Sequence, residues 1–197
     1  MNRTCGSRFH DFIGEIEAAL EDPDATEALR LSAIGESMRR LVSHDDWLPD
    51  AYARPHPEFY QQYLLHVDRD QRFSVVSFVW GPGQATPIHD HLVWGVIGVL
   101  RGSELVEAFD AHDTHDVHHV RSRGAPSRMN VGDVGFVSPT IGDIHRVSNA
   151  FDDRVSISIH AYGGDIGTIR RHVYTASGEP RKTFVSGYAN ADELKPG

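Results

Sequence analysis

The sequence predicts a mainly β protein, an antiparallel sandwich or barrel preceded by a helical hairpin, and three observations carry that expectation. From Phe73 onward the chain breaks into short runs rich in β-branched and aromatic residues, separated by glycine and proline. No long stretch of helical periodicity interrupts those runs. Apolar residues at helical spacing are confined to the N-terminal part of the chain.

In chain order, Phe9, Phe12, Ile13, Ile16 and Leu20 fall on one face of a helix over residues 9 to 20, which Asp22-Pro23-Asp24 terminates. A second helix carries Leu31, Ile34, Met38, Leu41 and Val42 on one face, so the two form a hairpin. Pro49, Pro55 and Pro57 make the segment from Trp47 to Pro57 a loop between architectures. The expected organisation is therefore helices over residues 1–57, packed on a barrel over residues 58–197 that ends in a C-terminal tail, all within one domain. The strand-like runs are Phe73–Trp80, Val93–Leu100, Glu104–Phe109, Asp133–Val137, Arg154–Tyr162 and Ile169–Tyr174. Between them, the stretch holding His112, His115, His118 and His119 has acidic neighbours and reads as a solvated hairpin.

Composition narrows the function classes. Lysine and arginine total 19 against 28 acidic residues, a net charge of −9, which argues against nucleic acid or an anionic membrane as partner. No apolar run is long enough to span a bilayer and the start lacks a secretory core, so a cytoplasmic location is expected. Cys5 is the only cysteine, which excludes an internal disulfide, a thiolate zinc knuckle and an iron–sulfur cluster. Lying near an N-terminus expected to be mobile, it is assigned no role. The oligomeric state is left open.

The chemistry is concentrated in His89-Asp90-His91. In an extended strand, residues i and i+2 share a face, so His89 and His91 can reach one point while Asp90 faces away. With His145 they supply three neutral imidazoles, a metal-ligand set that leaves coordination positions open for catalysis. Imidazole alone does not choose between iron, zinc, copper and nickel.

Gly83-x5-His89-x-His91-x3-Gly95-x6-Gly102 resembles the first cupin motif, with Gly95 where that motif has a glutamate. Pro139 and Gly142-x2-His145-x3-Asn149 resemble the second. The resemblance implies a cupin barrel, that is a double-stranded β-helix or jelly roll. Residues 58 to 174, including Ser158-Ile159-His160-Ala161-Tyr162, further resemble the cysteine dioxygenase family, the thiol dioxygenase branch of the cupins. That implies Fe(II) on His89, His91 and His145, a small-molecule thiol and O₂ as reactants, and an outer row of Ser158, His160 and Tyr162. Alternate positions on one strand face also let these three hydrogen-bond in series. With a pKa near ~10, Tyr162 stays protonated at neutral pH. Ser158 lies inside a strand without a nucleophile elbow, so a serine hydrolase is a poor reading.

Vertebrate-type members join a cysteine to the active-site tyrosine. Gly95 occupies that place here, so Tyr162 is expected to be a free phenol. Cysteine-specific enzymes use an arginine before the first motif strand, whereas 3-mercaptopropionate dioxygenases carry a glutamine. This chain offers Gln62, with Gln61 as the alternative. On the later strand the resemblance favours Arg171 over Arg170 for the substrate carboxylate, while residue parity does not choose between them. The expected activity is oxidation of 3-mercaptopropionate to its sulfinate. Cysteine dioxygenase is the alternative within the class; a zinc or nickel isomerase or hydrolase, or a small-molecule-binding cupin, is the alternative outside it.

Overall fold

A computed structural model describes residues 5–114, 117–175 and 182–193. Helices α1 (Ser7–Glu21) and α2 (Glu27–Val42) are followed by twelve strands: β1 (Gln61–Val67), β2 (Ser74–Trp80), β3 (Ile88–His89), β4 (Gly95–Arg101), β5 (Ser103–Thr114), β6 (Val117–Ser122), β7 (Ser127–Asn130), β8 (Val134–Val137), β9 (Ile144–Asn149), β10 (Ser156–Tyr162), β11 (Arg171–Tyr174) and β12 (Lys182–Phe184). They form two antiparallel sheets, one ordered β1-β2-β10-β4-β8 and the other β12-β11-β3-β9-β5-β6, with β7 paired to β5. The sheets face one another across a barrel interior, the cupin arrangement. No helix among the described residues is long and apolar enough to cross a membrane.

Strand β10 explains how the helices and the site share one sheet. Flanked by β2 and β4, it is buried along its whole length. Its odd positions, Ile157, Ile159 and Ala161, join a core with Phe12, Ile16, Ile34 and Met38 of the helices. Its even positions, Ser156, Ser158, His160 and Tyr162, turn the other way, where Tyr162 packs with Val76, Phe78 and Ile97 inside the barrel. The hairpin therefore shields one face of this sheet and leaves the other for chemistry. Contact is close: a Cβ on Gly98 of β4 would lie 2.7 Å from Met38 Cγ. Thr26 starts α2 by accepting the Leu29 amide at 3.3 Å.

Two expectations change. The C-terminal segment is no tail: Asn190 pairs with both backbone groups of Leu64, at 2.9 and 3.0 Å, and the Ala189 amide donates to Gln62 O at 2.8 Å. The segment thus covers β1. Cys5 is half-buried against the helical core, and burial pushes its thiol up to about 11. His112, His118 and His119 lie on the antiparallel β5–β6 hairpin, while His115 lies outside the described residues.

Candidate metal centre

His89 ends β3, paired with His145 of β9 on one side and Val173 of β11 on the other. His91 comes next on that face, and the three imidazole centroids form a nearly equilateral triangle with sides of 4.8, 4.8 and 4.9 Å. One ligating atom from each lies within 4.8 Å of the others, and all three residues are buried. His89 Nδ1 is 3.0 Å from Pro87 O and His91 Nδ1 is 3.1 Å from Asp143 Oδ1. Engaging Nδ1 as donor leaves Nε2 as the free lone pair, the usual way a protein orients metal-binding histidines. Burial, then the neighbouring imidazole of His91, lowers His89 to about 3 and His145 well below the ordinary histidine value, so both are neutral. His91 Nε2 is buried without a hydrogen-bond partner. Three imidazole nitrogens, one of them orphaned in the interior, fit a single divalent metal ion of the nitrogen-binding class.

The local backbone differs from the extended strand expected through His91. The strand stops at His89, and Leu92 takes a left-handed φ of 62°. The cause is Asp143, whose carboxylate accepts the His91 amide at 3.1 Å and the Leu92 amide at 2.8 Å, replacing sheet partners. Burial raises the Asp143 carboxyl, but hydrogen bonds from His91 and these amides outweigh it and hold it below the usual range. Asp90 does face away from the imidazoles. It accepts the His172 amide at 2.8 Å, lies 2.7 Å from His172 Nδ1 and accepts the Tyr174 hydroxyl at 2.9 Å, clamping β11 beside β3.

Ser158, His160 and Tyr162 stand in one row, with Ser158 Oγ 2.8 Å from His160 Nε2 and His160 Nδ1 2.7 Å from Tyr162 Oη. The Trp80 indole donates to Ser158 Oγ at 3.2 Å. Tyr162 stacks on His91, centroids 5.3 Å apart and planes inclined by 18°, which places the row against the triad. Burial raises the phenol above its ordinary value and, with the neighbouring His91 and His89, lowers His160 well below its own, so both are neutral. Gly95 pairs with Tyr162 across β4 and β10, and a Cβ there would lie 2.8 Å from Tyr162 Cε1. Glycine at this position lets the ring lie against the strand.

Burial differs within each of the two pairs expected from the resemblance. Gln62 is buried and its Nε2 has no hydrogen-bond partner, whereas Gln61 is half-buried with Nε2 donating to Tyr60 O at 3.2 Å. Arg171 is buried, and Arg170 is exposed. The Arg171 guanidinium sits 4.7 Å over the Phe184 ring and donates to Ser186 Oγ at 2.7 Å, while its Nε is left without a partner. Burial lowers its pKa, and its charge is felt at His89, Tyr60 and Tyr162. Gln62, Tyr60, Ser186 and Tyr188 line a groove of about 390 Å³.

Sequence reading passes over Tyr60, Trp80, Asp90's partners, Glu104 and Asp143. Asp143 sits in the gap of the second motif, two residues before His145, where an acidic residue beside a metal ligand is the available signal. Nothing in the sequence announces the pairing of Asp90 with His172 and Tyr174, more than eighty residues away.

Among solved structures, the chain is similar to a protein with a double-stranded β-helix domain from Klebsiella pneumoniae, at 19% identity over 59% of this chain and 82% of that one, with a TM-score of 0.46. It is also similar to an acetylacetone dioxygenase from Acinetobacter johnsonii, at 19% identity over 76% and 89%, TM-score 0.46. A third similar structure, a cupin superfamily protein from Desulfitobacterium hafniense, has 12% identity over 57% and 84%, TM-score 0.41. The family model for cysteine dioxygenase type I matches residues 27–174, from the start of α2 to the end of β11. That span takes in His89, His91, His145 and the whole Ser158–His160–Tyr162 row, and the chain belongs to the cysteine dioxygenase type I family.

Proposed function

We propose that this protein is a non-haem Fe(II) thiol dioxygenase that converts 3-mercaptopropionate and O₂ to the corresponding sulfinate. Family membership and the three-imidazole cluster support a metal-dependent dioxygenase. The observation that carries the substrate is the pair of buried, unpartnered donors, Gln62 Nε2 and Arg171 Nε, with the arginine charge acting on His89. Buried donors without acceptors cost about 1–3 kcal/mol each, a cost that a carboxylate bound between them removes.

In the reaction the sulfur gains both atoms of O₂, is oxidised by four electrons, and the thiol proton is released. Iron held by His89, His91 and His145 would supply the redox chemistry and favour the thiolate. The chain supplies the rest. Arg171 and Gln62 receive the carboxylate, so the sulfur end of a short thiol acid is directed at the triad. Tyr162, protonated and braced by His160, presents a hydroxyl beside that end. Val76, Phe78 and Trp80 pack an apolar wall beside the row.

Cysteine is the second reading, favoured by the family description. It would bring an ammonium group, yet none of the residues lining the groove at Gln62 is acidic. The test is anaerobic loading with Fe(II), then O₂ uptake with 3-mercaptopropionate, cysteine and cysteamine and mass analysis of products. The expected result is a sulfinate, formed fastest from 3-mercaptopropionate and slowest from cysteamine, which lacks the carboxylate. Faster turnover of cysteine would move the assignment to cysteine dioxygenase. Absence of sulfinate from every thiol, or O₂-independent turnover with zinc or nickel, would overturn the reaction class.

A further inference from the structure

Strand β5 carries into the barrel a titratable group that the chemistry above does not use. Glu104 is only 1% exposed. Ser156 Oγ donates to its Oε1 at 3.2 Å, and its Oε2 has no hydrogen-bond partner. From β10 it also faces Ser158, and from β2 the Trp80 indole, both near enough to favour its charged form. Burial outweighs them and pushes the carboxyl up to about 7.

The remaining neighbours leave it without a counter-charge. On β9, Asn149 directs its amide to Trp80 O, Gly81 O and Arg154 O, and His145 is neutral. Tyr162, protonated, feels the carboxylate at longer range. Arg123 shares a cavity of about 360 Å³ with Glu104 but is paired with Asp110. Phe136 and Ile141, both exposed, line the same cavity, so solvent protons can reach the carboxyl.

Glu104 therefore stands at the far end of the row from Tyr162, next to Ser158. Each member of that row has one mobile proton, and a chain of such groups has two self-consistent directions. We propose that the protonation state of Glu104 sets the direction of the hydrogen bonds through Ser158 and His160, and thereby whether the Tyr162 hydroxyl donates into the metal pocket or back to His160. With Glu104 protonated, its O–H donates to Ser158, Ser158 donates to His160 Nε2, and His160 Nδ1–H donates to Tyr162. The phenol proton is then free for the pocket. With Glu104 ionised, Ser158 donates to the carboxylate and accepts from His160 Nε2–H. His160 Nδ1 then accepts the Tyr162 hydroxyl, which turns away from the pocket. Only protons move, one entering or leaving at Glu104. Glu104 is thus a positioning residue, and its consequence for turnover rests on the dioxygenase reading; the switch itself belongs to the metal-free protein.

The metal-free protein is where it is tested. Ring nitrogen NMR of His160 and the infrared carbonyl stretch of a buried carboxylic acid are followed between about pH 5 and about pH 9, bracketing the range where a carboxyl raised to this extent changes charge. Wild type should lose the carbonyl band as the His160 proton passes from Nδ1 to Nε2, the two changes superimposing. In Glu104→Gln both changes should vanish, and on the iron-loaded enzyme the neutral limb of the kcat/KM pH profile should vanish with them. A His160 tautomer that is constant while the carboxyl titrates, or that still switches in Glu104→Gln, overturns the proposal. Should the variant fail to fold, the superposition of the two wild-type curves decides the matter alone. Should no thiol be oxidised by either protein, the dioxygenase reading falls while the tautomer measurement still decides the switch.

Discussion

At Asp143 one carboxylate ends a strand, turns the chain at Leu92 and fixes the ring of His91. Its two oxygens accept both amides and face His91 Nδ1, so the imidazole has one orientation and its Nε2 points to the other two rings. An asparagine side chain in its place would offer one acceptor oxygen and an NH₂ facing donors. Asp143→Asn is therefore expected to weaken Fe(II) binding by about 10–100-fold, the range for loss of a group that orients a metal ligand. Equilibrium dialysis at fixed pH measures it, and affinity within about twofold of wild type, well under that range, would show that His91 holds its orientation without the carboxylate. His91→Ala removes a nitrogen outright and should leave most of the protein free of iron under the same conditions; full iron content in that variant would remove His91 from the ligand set.

Among elements, the contact of α2 with β4 decides how the helical hairpin sits. Gly98 has no room for a side chain because Met38 Cγ and Val42 Cγ1 would lie 2.7 and 2.9 Å from its Cβ. Gly98→Val should cost about 1–3 kcal/mol by overpacking, lowering Tm by about 2–4 °C per kcal/mol for a chain of this size. Calorimetry with metal analysis checks it; an unchanged Tm would mean the helix gives way freely. This interface is legible in part from sequence. The spacing of Ile34, Met38 and Leu41 gives the helix face, and apolar density gives β2, β4 and β10. Strands such as β1 and β7 escape notice because Gln61, Gln62, Ser127 and Arg128 have no alternation to read, and their pairing comes from the neighbouring strand's register. The site divides the same way. His89, His91 and His145 are visible as a spacing, while Asp143 and His172 matter through contacts made 52 and 82 residues away.

For the whole molecule, Glu104 makes stability depend on pH in the direction opposite to that of a paired carboxylate. Its pKa is about 7 folded against an ordinary 4.5, so the native state binds the proton more tightly. Stability is fully present below 4.5, falls as pH rises toward 7 and levels off beyond. A shift of this size corresponds to on the order of 3 kcal/mol. Glu104→Gln should therefore gain most over wild type at about pH 8 and least at about pH 5, as denaturant unfolding at the two values will show. An equal difference at both would mean the carboxyl ionises normally inside the barrel. The clamp at Asp90 has a consequence at this scale as well. Because it ties β11 to β3, and neighbouring residues on β11 point to opposite sides, the rung that holds His172 outward also holds Arg171 inward. The interval between the backbone positions of Arg171 and His89 is consequently a property of the strand lattice, and Phe184 and Ser186 hold the guanidinium at its end of that gauge, so that only a molecule of matching reach touches both ends.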